Sequence, residues 1–311
     1  MGEIIVFIKK FIKMVLPPII TEVIKKLCSY IRVLTKQDLK TTVTSNTIKQ
    51  YMTTKKTDKV FIVGNGPSLT QTFSKYIDNI KHFDCMVVNK FAKSDYFTVL
   101  KPRLYVLADP AFFDNYSGND DETPIKELAM TIKNRTTWEM FLILPDFAEN
   151  SDFISTVSQN TNISVLYFNT KNYGEAKSEK ERFKLYDENK LYPPAQTVLN
   201  TCIYLALFWE YREIYLIGAD TSWHQNLYVE QTTNNLYTSD THYYGTQKVF
   251  LEDPYNKGKS QTMAQQLTYI RDAFYLYDVL ARYAIYKNIP VYNASAFSFI
   301  TSFERFDLSN L

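Results

Sequence analysis

The residues best suited to acid–base and leaving-group chemistry gather late in the chain, in Asp220–Pro254 (DTSWHQNLYVEQTTNNLYTSDTHYYGTQKVFLEDP). Within it, Thr241-His242-Tyr243-Tyr244-Gly245 holds an imidazole. Imidazole titrates near neutral pH and suits deprotonation of a hydroxyl as it attacks, so His242 is the candidate general base. A histidine that only hydrogen-bonds this segment in place fits the same residues equally. His224, after Trp223, is a weaker candidate of the same kind, and His82 lies in a polar segment typical of surface. Tyr228 and Tyr243 carry phenols that, in a dry pocket, donate to a departing phosphate. Aromatic packing is the simpler role for either tyrosine taken alone.

Other chemistries leave no mark. There is no D-x-D triad of the kind that holds a metal–diphosphate, and Asp120-Asp121 sits in a Gly-Asn-Asp loop that reads as a solvated turn. No G-x-S-x-G elbow and no H-x-x-x-H pair occurs, which leaves metal-independent chemistry as the expectation. Cys28, Cys85 and Cys202 are scattered without C-x-x-C spacing, arguing against a disulfide framework or zinc site and fitting a reducing cytoplasm.

The elements that must position these groups begin at Val60–Leu69, VFIVGNGPSL. Val60 to Val63 form an unbroken apolar run, expected for a parallel strand buried on both faces. Gly64 and Gly66 permit a sharp turn and the close approach of a ligand. Pro67 and Ser68 suit the first turn of a helix, whose free N–H groups favour a phosphate. This is neither the G-x-G-x-x-G fingerprint, since Leu69 stands at the third glycine, nor a Walker sequence, which needs a lysine.

Further strands are expected at 85–88, 104–107, 141–144, 164–168, 213–217 and 290–292, with helices at 197–210 and 261–286. This alternation predicts a doubly wound, mostly parallel, Rossmann-like α/β sheet. Asn89 and Asp109 then close strands at carboxyl ends, where ligands bind, although both types also serve as turn residues and caps. Ser298 follows the last strand and faces the same crevice. Segment 170–189 is charged and reads as a surface excursion. Segment 221–254, polar and aromatic without evident secondary structure, is expected to be a lid.

The chain has 311 residues, 45% of them hydrophobic, enough for one large α/β domain with additions. Its 24 tyrosines and 21 phenylalanines fit sugar- or membrane-facing surfaces, and more simply an AT-rich coding bias. A net charge of +2 argues against a nucleic-acid partner. Residues 1–34 place apolar side chains at three- and four-residue steps among lysines, with Pro17-Pro18 between two such runs. The lysines interrupt the runs well short of the ~20 residues a spanning helix needs. Amphipathic helices lying on an anionic leaflet are expected, and packing on the body of the protein or on a partner is the alternative. Residues 35–57 read as a linker to a catalytic body at 58–305. The sequence leaves self-association open.

The strand with GNGPSL, then Asn89-Lys90-Phe91, then Ala108-Asp109-Pro110-Ala111-Phe112-Phe113, resembles the small bacterial lipooligosaccharide sialyltransferases (carbohydrate-active family 42). The similarity continues through 197–210, Glu213–Asp220, Tyr228, His242–Gly245, Tyr292 and Ser298, in order, over roughly residues 58–305. A looser likeness to GxGPSL proteins that glycosylate flagellin is also present. The resemblance implies a single-domain, GT-A-like transferase whose lid closes over a CMP-sugar. It further implies inversion at the anomeric carbon and no metal; the expected reaction is transfer of a sialic or other nonulosonic acid, or Kdo, to a surface glycan or glycolipid, and the N-terminal helices would place it on the inner face of the cytoplasmic membrane. Carried across, Asn65 and Ser68 bind the donor's phosphate and ribose side, Asn89 touches the nucleotide and Tyr228 holds the phosphate. Gly64, Gly66, Asp109, Thr197, Asp220, Gly245 and Ser298 complete the candidate substrate site. Four positions depart from the pattern: Thr246 falls where the family has its catalytic histidine, Ser222-Trp223 near its other lid tyrosine, Asp109 on an asparagine and Ala195 on an arginine. His242 is then the nearest substitute base. A UDP- or other NDP-sugar transferase on the same scaffold, and a non-catalytic nucleotide-binding assembly protein, are the alternatives.

Overall fold

The structure, a computed structural model, describes residues 55–113, 124–173, 175–242, 245–254 and 256–311, with only the backbone described at 240–242, 246 and 247. Residues 1–34, and the linker up to residue 54, lie outside the described residues. No helix among those described is long and apolar enough to cross a membrane.

Strands β1 (Lys59–Val63), β2 (Asp84–Val88), β3 (Leu104–Val106), β4 (Met140–Pro145), β5 (Ile163–Phe168), β6 (Glu213–Ile217), β10 (Val291–Asn293) and β11 (Glu304–Arg305) form one sheet in the order β11-β10-β6-β1-β2-β3-β4-β5. Every pairing in it is parallel. β2 and β4 are buried throughout, and β1 and β6 at all but their first residue. That is why these runs are apolar without alternation after their first residues; β2 opens on Asp84, a fully buried carboxylate. Helices α1 (Leu69–Ile80), α2 (Tyr96–Leu100), α3 (Pro124–Arg135), α4 (Asp152–Val157), α5 (Glu179–Asp187), α6 (Val198–Phe208) and α7 (Met263–Lys287) supply the crossovers. The doubly wound α/β reading therefore holds, with the main sheet wholly parallel.

α6 carries a buried run from Asn200 to Leu207, so it is an interior helix rather than an amphipathic surface one. α7 starts on a capping box, in which Thr262 Oγ1 accepts from Gln265 N at 3.2 Å and Gln265 Oε1 accepts from Thr262 N at 2.7 Å. Both groups satisfy amides that the first turn would otherwise leave open.

Two sequence expectations are corrected. The charged stretch 170–189 is no mere excursion, because α5 inserts Phe183 and Tyr186, both buried, into a cluster with Tyr204 and Tyr283 at ring separations of 5.3–6.5 Å. Much of the tyrosine content thus packs inside, and Tyr105, Tyr211, Tyr215 and Tyr277 are also among the fully buried side chains. The segment 221–254 does have secondary structure: β7 (Leu227–Glu230), β8 (Asn235–His242) and β9 (Gly245–Phe250) form an antiparallel sheet of three strands. Leu236 and Thr238 of β8 are buried, an alternation that fixes the sheet's inner face.

Candidate functional site

The chain winds outward from β1 to β5 and then returns to place β6 on the other flank of β1. The crevice at such a reversal, beyond the carboxyl ends of the strands, is where α/β sheets bind ligands. Here it is built from the turns after β1, β2 and β6 and the loop after β10.

The glycines of the first turn have an internal role. A Cβ on Gly64 would lie 2.3 Å from Gly218 O, and one on Gly66 would lie 2.2 Å from Asp220 Oδ1 and 2.7 Å from Gly218 O. The room expected for a ligand is filled by the β6 turn. Gly64 N donates to Ile217 O (2.8 Å) and Gly66 N to Gly218 O (2.9 Å), carrying the β1–β6 ladder past the strands. Gly218, at φ +59°, takes a left-handed turn that suits glycine.

The start of α1 is likewise met from within. Asp220 Oδ2 accepts from Ser68 N at 2.9 Å and Oδ1 from Ser68 Oγ at 2.5 Å. A carboxylate therefore occupies the N-terminal position where a phosphate was expected, and it satisfies the same orphan N–H. Burial raises the Asp220 pKa above the ordinary value while the two Ser68 bonds hold it down. Ser298 Oγ donates to Ala219 O (2.6 Å), pinning the loop after β10 to this turn.

On the other flank the crevice has unused hydrogen-bonding capacity. Asn65 Nδ2 donates to Val88 O (3.1 Å), which fixes the orientation of the amide and brings it beside Asn89, the next residue. Asn65 Oδ1 and Asn89 Oδ1 are both buried with no hydrogen-bond partner. Such orphaned acceptors are rare in native folds and call for an explanation. Asn89 adopts φ +51°, which asparagine tolerates better than other side chains. Its carbonyl accepts from Tyr105 Oη, which also accepts from Ala92 N at 3.1 Å. The buried Tyr105 of β3 thus holds the Asn89 turn, a role invisible in the sequence because an isolated tyrosine in an apolar strand signals only packing. Tyr105→Phe is expected to lose about 1–2 kcal/mol of stability in urea unfolding, by stripping both hydrogen bonds while keeping the ring.

The remaining predicted residues divide. Thr197 caps α6, its Oγ1 accepting from Asn200 N (3.2 Å), and lies 3.3 Å from Tyr277 Oη. Asp109 caps the turn Pro110–Phe113 by accepting from Ala111 N at 2.9 Å and is exposed, the turn-cap alternative for an aspartate there. Tyr228 stands on β7 with its ring stacked on Tyr237 at 5.8 Å and the Lys248 ammonium 5.8 Å from its centroid, so its ring is engaged within the small sheet. Gly245 opens β9, its backbone paired with His242. The side chain of His242 and all of Tyr243 lie outside the described residues. His224 is half-buried, edge-on to Phe299 (4.5 Å) and Phe274 (6.0 Å), with Nδ1 buried and unpartnered. His82 is exposed. Among the described residues, no three His, Cys, Asp or Glu side chains gather as a metal cage requires.

Fold and crevice together define a Rossmann-like α/β protein with an open crevice at its switch point. No family model matches the chain, and no curated protein does. Among solved structures it is similar to the MAf glycosyltransferase from Magnetospirillum magneticum AMB-1, at 18% identity and a TM-score of 0.45. That match covers 83% of this chain and 35% of the other, so the chain spans about a third of that protein's length.

Proposed function

We propose that this chain is an inverting, metal-independent glycosyltransferase that uses a nucleotide sugar. Its preferred donor is a CMP-activated acid sugar, sialic or another nonulosonic acid or Kdo, and its acceptor a surface glycan or glycolipid. The observation that carries the nucleotide site is the two buried, unpartnered acceptors Asn65 Oδ1 and Asn89 Oδ1, in the turns after β1 and β2 at the switch point. A ribose hydroxyl or a cytosine amino group supplies the donors that such acceptors lack. The donor class rests on the ordered resemblance of residues 58–305 to the sialyltransferases.

In the proposed reaction the acceptor hydroxyl oxygen attacks the anomeric carbon while its proton passes to the His242 imidazole. The bond from that carbon to the phosphate oxygen breaks, and its electron pair leaves with CMP. Tyr243 is the candidate phenolic donor to that phosphate. With Asp220 already on Ser68 N, the phosphate needs donors other than that amide. Residues 1–34 are proposed to hold the enzyme on the cytoplasmic face of the membrane, near a lipid-linked acceptor.

Calorimetric titration of the full chain with CMP, UDP, GDP and CDP tests the nucleotide reading. Preference for CMP is the expected result; preference for UDP moves the donor to a UDP-sugar, and no binding leaves an assembly protein. In a transfer assay, His242→Ala is expected to slow turnover by about 10²–10⁴-fold, and retention of activity within a few-fold removes His242 as the base.

A further inference from the structure

The loop after β10 sets an aromatic ring where the crevice opens. Phe297 is 50% exposed, yet the chain from its own carbonyl onward is tied down. Ser298 Oγ donates to Ala219 O at 2.6 Å, Phe299 N donates to Asp220 O at 2.9 Å, and Phe297 O lies 3.5 Å from Ser68 Oγ. The ring is backed as well. Phe297 meets Phe299 edge to face at 5.2 Å and 87°, and Phe299 meets His224 at 4.5 Å and 85°. His224 Nδ1, within this aromatic wall, is a buried polar atom with no partner. Edge-to-face packing of this kind fixes ring orientation beyond what burial alone does.

A half-exposed phenyl ring held this firmly beside the Ser68–Asp220 pair has a purpose beyond packing. We infer that Phe297 is the platform on which the flat ring of a nucleobase stacks, an inference that rests on the nucleotide reading above. Every base has a π-face, and a rigid aromatic side chain gives up little conformational freedom when one docks. The base then lies on the β6–β10 flank, and the hydroxyl donors of the nucleotide reach the Asn65 and Asn89 acceptors after β1 and β2. The ligand spans the switch point.

CMP is titrated by calorimetry into the full-length wild type and into Phe297→Ala, Phe297→Leu and Phe297→Trp. Loss of a base–aromatic stack is expected to weaken CMP binding about 5- to 150-fold in the alanine variant. Leucine keeps apolar bulk without a π-face and is expected to weaken binding nearly as much. Tryptophan is expected to bind within a few-fold of wild type, with fluorescence quenching on CMP addition beyond any shown by the three native tryptophans. Wild-type affinity in either the alanine or the leucine variant overturns the inference. Should the alanine variant fail to fold, the leucine and tryptophan variants decide it. Wild type that binds none of CMP, UDP, GDP and CDP defeats the nucleotide reading itself, and this inference with it.

Discussion

Gly64→Ala is expected to lose about 4 kcal/mol or more of folding stability, measured by urea unfolding, and to emerge largely insoluble on expression. The added methyl would sit 2.3 Å from Gly218 O, 2.9 Å from Gly218 C and 3.3 Å from Ala219 Cα. All three are main-chain atoms, so no rotamer change relieves the overlap. The only escape is to part β1 from β6 at their carboxyl ends, which breaks the 2.8 Å bond from Gly64 N to Ile217 O and opens the centre of the sheet. Gly258→Ala is the control. Nothing lies within 4 Å of a Cβ there and only the backbone, at φ +80°, resists, so about 1 kcal/mol is expected. Equal costs at the two positions would show that the close approach at Gly64 is not what makes glycine necessary.

Asp220→Ala is expected to cost about 3 kcal/mol. The carboxylate is 4% exposed and accepts from both the backbone and the hydroxyl of Ser68. Its removal leaves a buried N–H and a buried hydroxyl facing a void and takes a negative charge from the start of α1. Asp220→Asn tests the charge through pH. Burial raises the folded-state pKa of Asp220 above its unfolded value, so the unfolded chain releases this proton at lower pH. The resulting stability is fully present below the unfolded pKa, near about 3.9, and is lost as pH rises through the raised folded value. The melting-temperature advantage of wild type over Asp220→Asn should therefore narrow as pH is raised from about 4 to about 7. Asp84, whose pKa is also raised by burial, is common to both proteins and cancels. A gap that widens with pH would mean that the Ser68 bonds outweigh desolvation.

These two positions show what one sequence makes legible. Seven of the eight strands of the main sheet are plain, since β1, β2, β4 and β6 have apolar cores suited to a doubly covered sheet, while the two-residue, polar β11 carries no such signal. The turn after β1 is plain too, since Gly64-Asn65-Gly66 permits little else. What those glycines accommodate is hidden, because Ser68 and Asp220 are 152 residues apart and nothing local in GNGPSL names its partner. The turn on its own suggests a ligand, and the β6 turn is what fills the space. Asp109 illustrates the opposite case: a carboxyl end of a strand and a helix cap demand the same residue, and the cap is what forms. The β7–β9 sheet escapes detection because its inner positions are Leu236 and Thr238, too weak an alternation among serines, threonines and asparagines. α5 is obscured by its charge, since only Phe183 and Tyr186, three residues apart, mark its inward face.

The sheet order also governs when the protein becomes competent. β1 can pair with β2 early in synthesis, but its other edge waits for β6, and contacts of such sequence separation form late and slowly. Until Asp220 has been made, the start of α1 lacks its carboxylate and the edge of β1 stands open to other chains. A nascent or truncated chain ending before β6 would thus display GNGPSL without the turn that gives it shape. Such a chain would be aggregation-prone, and the crevice would form only once β6 and the loop after β10 had left the ribosome.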